Sequence, residues 1–231
     1  MPREFSRDML IMLVAIMAGV VIITFFIADI QARNQVTEEL TVEYNTRILY
    51  IEKQNINFSS AFLDALGGFD LAREFKADGD VQYSVARSFF SVSLFASNVT
   101  LFEYYINITI ANCMKSFDNF KYSGLNFNDS IGNFNLTKIH TNYDVYLNLT
   151  DLYVNISESG YKLSRLKQNA SEYLLKIAEN LTFENLSSFP PYIEEFLSEL
   201  ERLEYEIIQE EEIYDWLRYL IDEYELDVPE R

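Results

Sequence analysis

Residues 135–179 read NLTKIHTNYDVYLNLTDLYVNISESGYKLSRLKQNASEYLLKIAE, and whether they form strand or helix decides the fold. The portion IHTNYDVYLNLT alternates apolar and polar side chains as a half-buried β-strand would. Asn-x-Ser/Thr sequons within and beside the stretch test that reading. On a helix at about 100° per residue counted from Asn135, the sequon asparagines Asn148, Asn155, Asn169 and Asn180 fall near 220°, 200°, 160° and 180°, one stripe. Ile139, Tyr143, Tyr146, Tyr153 and Leu175 then lie between roughly 0° and 80°, and Val145, Leu149, Leu152, Ile156, Leu163 and Leu174 between roughly 260° and 320°. Leu147, Leu166 and Tyr173 are the exceptions. On a strand, Asn148 and Asn155 would point to opposite faces and put one modification site in the core. The spacing therefore predicts a long helix over 135–179.

Outward from this stretch the same period continues. Residues 99–121 again fit both patterns, but Phe102, Ile106, Ile110, Cys113, Phe117 and Phe120 keep steps of three and four for longer than the alternation lasts, which favours helix. Gly124 to Gly132, rich in Asn and Asp, reads as a turn. Upstream, Ser59 or Ser60 suits the cap of a helix to about Lys76. Asp78-Gly79-Asp80 reads as its end, with Gly79 supplying a positive φ and Asp80 capping the next helix. Pro190 and Pro191 suit the first turn of a last helix, 190–226. There Ile193, Phe196, Leu200, Leu203, Ile207, Glu210, Tyr214, Leu217, Ile221 and Tyr224 follow alternating steps of three and four, a coiled-coil-like seam. That seam is expected either to close the bundle or to present an interface to a partner chain. The fold class expected is all-α: a transmembrane helix followed by an elongated extracytoplasmic bundle of about four helices. The alternative is α+β with a β-rich middle over 99–157.

Ten sequons crowd the chain, at Asn57, Asn98, Asn107, Asn128, Asn135, Asn148, Asn155, Asn169, Asn180 and Asn185, none with a central proline. Chance placement at this composition gives roughly two. A sequon is modified only outside the cytosol, on a solvated surface. Residues 9–28, MLIMLVAIMAGVVIITFFIA, carry no charge and would span about 30 Å as a helix, the thickness of a bilayer's hydrocarbon core. An uncleaved anchor is expected there. A cleaved signal peptide has a shorter apolar region ending in small residues, and a pilin-like leader has a cleavage motif before its apolar helix that is missing ahead of Met9. Arg3 and Arg7 before the span nearly balance Arg33 and Arg47 after it, so the sequons set the orientation: residues 1–8 cytoplasmic, everything beyond the span outside. Residues 29–56 are expected to extend the spanning helix as a juxtamembrane segment, and 57–231 to form the glycosylated domain.

Cys113 is the only cysteine, so this domain is held by packing without an internal disulfide. Many sequons without disulfides fit an archaeal surface protein better than an animal ectodomain. The net charge of -18 is concentrated at the C-terminus, where 190–231 holds 15 acidic residues against Arg202, Arg218 and Arg231. Such a surface repels nucleic acid and anionic lipid. Weak divalent-cation binding among Glu210, Glu211, Glu212 and Asp215 is the ligand reading the acidic run offers, without the Asp-x-Asp-x-Asp-Gly loop of a dedicated calcium site. His140, the sole histidine, and Cys113 are too few for a usual zinc site, and neither a phosphate loop nor a nucleophile elbow occurs. No catalytic residue and no cofactor is expected. The function this predicts is a single-pass, N-glycosylated surface protein with a structural or protein-interaction role, with a pilin-like filament subunit or a tethered hydrolase using paired carboxylates as the alternatives.

Overall fold

The computed structural model describes the backbone of residues 7–227 and the side chains of residues 41–224. Four α-helices account for nearly all of it: α1 (Arg7–Ser93), α2 (Val99–Thr137), α3 (Asp144–Asn180) and α4 (Pro191–Asp227), with short 3-10 turns at Lys138–His140 and Phe183–Ser187. No strand occurs among the described residues, so the β-rich alternative for 99–157 gives way to helix. Two compact units are present, residues 1–54 and 55–231. In the first, the described side chains from Thr41 to Lys53 are exposed all round the helix. The expected membrane span, 9–28, and the tail before it lie outside the residues whose side chains are described. Among those that are, no helix is long and apolar enough to cross a membrane.

The second unit is a bundle built on a seven-residue repeat. On α2, Thr109, Ser116, Ser123, Ser130 and Thr137 recur every seven residues and alternate with Ile106, Cys113, Phe120, Phe127 and Phe134, and all of them are buried. On α3, Thr150, Ser157, Ser164 and Ser171 form the matching row, also buried. Ser116 donates to Ser171 at 2.9 Å, Ser123 and Ser164 share a hydrogen bond of 2.9 Å, and Thr137 meets Thr150 at 3.5 Å. Each step of seven up α2 is thus matched by a step of seven down α3, which makes the pair antiparallel and fixes its register. Small side chains at these positions let the helix backbones approach closely. The hydroxyls also bond carbonyls of their own helix, as Ser157 does to Tyr153 and Ser171 to Lys167. No buried side-chain N or O is left without a partner among the described residues.

A third small stripe, Ala65, Ala72, Gly79 and Ala86 on α1, lies against the same α2 row, where Ser123 donates to the Ala72 carbonyl at 2.9 Å and Thr109 to that of Ala86 at 3.5 Å. The large residues then fill what the small ones leave. Phe62, Phe69, Phe134 and Tyr153 pack their rings edge to face or tilted, with centroids 5.0 to 6.3 Å apart. Phe120, Phe127 and Phe134 are fully buried, each contributing about 1.5–3 kcal/mol through the area it removes from water.

Three sequence expectations are corrected by this packing. Gly79 does not end a helix: α1 runs through it to Ser93, and no described glycine has a positive φ. Its lack of a side chain serves space, because a Cβ there would meet the Phe120 ring at 2.6 Å. Asp80 caps nothing and instead pairs with Lys76 and Lys167. Gly124 to Gly132 is no turn but the interior of α2, and the helix expected over 135–179 is divided, since 135–137 close α2 and α3 begins only at Asp144. Glycine and asparagine read locally as breakers, but here the hydroxyl row and its phenylalanines run straight through them.

Candidate functional site

The surfaces of the second unit separate by face. Of the ten sequon asparagines, all but Asn185 are exposed, and Asn185 is half-buried in the second 3-10 turn. Of the four α2 asparagines outside any sequon, Asn133 is exposed and the other three differ. Asn112, Asn119 and Asn126, seven apart and outside any sequon, are half-buried, with Asn112 and Asn126 donating to carbonyls one turn back. On α3, Asn148, Asn155 and Asn169 share the solvent face, while Tyr153, Ile156, Gly160, Leu163, Lys167 and Leu174 are buried on the other. Asn98 also caps α2, its Oδ1 accepting from the Leu101 backbone N–H at 3.0 Å.

The heptad seam of α4 is used inside the chain. Ile193, Leu200, Leu203, Ile207, Tyr214, Leu217 and Ile221 are buried, and Phe196 and Tyr224 are half-buried. The Tyr214 ring packs on Phe127 of α2, Phe196 on Tyr173 of α3, and the Tyr224 hydroxyl donates to the Val145 carbonyl at 2.9 Å. Of the two uses expected for this seam, closing the bundle is the one its side chains perform here.

Glu210, the polar member of the seam, is 4% exposed, accepts from Ser159 at 2.7 Å and pairs with Lys162. Lys167 of α3, its side chain 7% exposed, lies between Asp80 of α1 and Glu211 of α4 at 2.5 Å from each, above the Phe120 ring. Higher up, Glu204 accepts from Tyr83 at 2.9 Å and from Arg87 at 3.0 Å. Burial and then the Glu204 charge push the Tyr83 hydroxyl far above its ordinary value, so it stays a donor. Two of the four carboxylates offered for cations, Glu210 and Glu211, are thus held by lysines. Among the described residues no group of three or more metal-ligating side chains exists.

Cys113 and His140 can be placed as well. Cys113 is fully buried in the α2 stripe, and burial pushes its thiol up to about 12. The protonated thiol is the favoured form in the fold, so its contribution is complete below the ordinary thiol value and is lost as pH rises toward 12. Alkylation by iodoacetamide near pH 8 should be at least about tenfold slower in the folded chain than in urea, since thiolate is the nucleophile. Equal rates by mass spectrometry would place the thiol outside the core. His140 ends the first 3-10 turn, half-buried.

One cleft, of about 510 Å³, opens where the start of α2 meets the end of α3 and the second 3-10 turn, lined by Phe102, Ile106 and Phe183 with Glu103, Glu179 and Glu184. These three carboxylates are exposed. A glycosidase-like acid needs an apolar surround that shields one carboxyl from water, and this cleft does not supply it. Asn107, a sequon residue, also lines it.

The hydroxyl rows and the acid–lysine centre were not foreseen from the sequence. The signal was present as serine or threonine every seven residues from Thr109 to Thr137 and from Thr150 to Ser171, a period visible without coordinates. Compared with protein-family models, curated proteins and solved structures, the chain matches none.

Proposed function

We propose that the chain is a membrane-anchored, N-glycosylated surface protein whose helical bundle serves a structural or protein-interaction role outside the cell. The observation that carries this is the exposure of nine of the ten sequon asparagines on the surface of the packed bundle. Polarity alone keeps most asparagines in solvent, so the weight comes from their number, ten sequons against roughly two by chance. The charge-free stretch 9–28 supplies the anchor, and the acidic C-terminal helix argues against nucleic acid and anionic lipid as partners.

Glycopeptide mapping of the chain from its native membranes tests the reading. Glycans are expected at the exposed sequons, with Asn185 the least occupied, and the chain should stay with the membrane after alkaline extraction. Unmodified asparagines throughout, or release at high pH, would sink it.

A further inference from the structure

We infer that the outer face of α4 is a docking surface for a basic amphipathic helix of another protein. The site rests on the structure alone, while its role deepens the interaction reading above. Directly opposite the buried seam, Tyr205, Ile208, Trp216 and Tyr219 are 64%, 56%, 58% and 55% exposed. At 100° per residue they lie within about 80° of one another, one stripe along the helix. Glu201, Glu212 and Glu223, all exposed, stand on the same stripe, eleven residues apart. The face therefore reads Glu, then Tyr and Ile, then Glu, then Trp and Tyr, then Glu. An eleven-residue period stays nearly in line along a straight helix, so a second helix can follow it over its length.

Charge complementarity names the occupant. Residues 190–231 carry 15 acids against 3 arginines. The arginine nearest this stripe, Arg202, is already engaged by Glu199 and Glu206. A second copy does not fit. Parallel pairing sets each glutamate against itself, and antiparallel pairing centred on Glu212 sets Glu201 against Glu223 and Glu212 against Glu212, like charges either way. A helix with apolar pairs framed by Lys or Arg buries the aromatic stripe and neutralises the glutamates. Tyr and Trp are the side chains that anchor such contacts. The face is also bare of sequons. Tyr104, Met114 and Leu125 of α2 are exposed too, but they share their helix face with Asn107 and lie beside Asn128 and Asn135.

Trp216 is the only tryptophan and so reports this face alone. The test titrates the full-length chain, in zwitterionic phosphatidylcholine vesicles, with a synthetic tryptophan-free helix of leucine pairs framed by lysines. Trp216 emission is expected to move to shorter wavelength with a saturable curve. The affinity should fall roughly tenfold or more between about 50 and 500 mM salt. Ile208→Glu should weaken binding about tenfold, whereas Leu125→Glu on α2 should leave it unchanged. A peptide of the same composition scrambled to lose its apolar face should bind at least tenfold more weakly. Silent emission, an equal response to the scrambled peptide, or equal losses from Ile208→Glu and Leu125→Glu would overturn the proposal. So would concentration-dependent self-association of the chain through position 208. Unoccupied sequons with an intact Trp216 response would sink the surface-protein reading and leave this one standing; occupied sequons with silent Trp216 would do the reverse.

Discussion

A chain carrying Asp80→Ala together with Glu211→Ala should lose about 3 kcal/mol of stability, read as a lower urea midpoint by far-UV circular dichroism. Both carboxylates sit 2.5 Å from the Lys167 ammonium, whose side chain is 7% exposed. Removing them leaves a charge buried among Phe120 and the α3 core with no counter-ion, and Lys76 loses its Asp80 partner as well. The lower end of the usual 3–5 kcal/mol range applies because Asp80 and Glu211 are 35% and 42% exposed, so water screens part of the attraction. Adding Lys167→Met to the double variant should restore most of the loss, since a methionine fills the same space without a charge to solvate. If the triple variant is no more stable than the double, the loss comes from packing rather than from the stranded charge.

Gly160→Val is expected to cost about 1–3 kcal/mol, the range for overpacking a filled core. A Cβ at position 160 would meet the Phe127 ring at 2.7 Å, and that ring is fully buried, packed against Phe69 and Tyr214. Helix propensity alone would predict the opposite sign, since glycine in a helix interior is about 1 kcal/mol worse than alanine. Gly132 is the control: its Cβ would meet nothing within 4 Å, so Gly132→Ala should stabilise the chain. The loss at position 160 should also couple to Phe127→Leu, the double variant being more stable than the sum of the singles predicts. Strict additivity in that cycle would show that the glycine does not make room for the ring.

How much was legible beforehand varies by feature. The α4 seam from Ile193 to Tyr224 could be read directly, because large apolar side chains at steps of three and four are the plainest helical signal. The face of α3 could be read because Asn148, Asn155 and Asn169 fall on one stripe opposite the apolar side chains. The ends of α1 and α2 were misread at Gly79 and over Gly124 to Gly132, where residues that break isolated helices turned out to sit inside long ones. In α2 five of the twelve buried positions are serine or threonine, so a hydrophobic pattern passes over them.

By itself the sequence determined the helical period, the asparagine stripe of α3 opposite its apolar face, and the place where negative charge accumulates. These are local properties, set by the spacing of residues along one chain. Tertiary structure alone decided which small residues exist to let another helix approach, and that Ser123 of α2 meets both Ala72 of α1 and Ser164 of α3. It alone decided that Lys167 would be shared by Asp80 and Glu211, and that the buried seam of α4 would leave the Tyr205 to Tyr219 stripe outward. The physical reason is that a serine, a glycine or a lysine has no fixed preference for the core. Its energy depends on the partner that arrives from a distant part of the chain, and that partner exists only once the helices have packed.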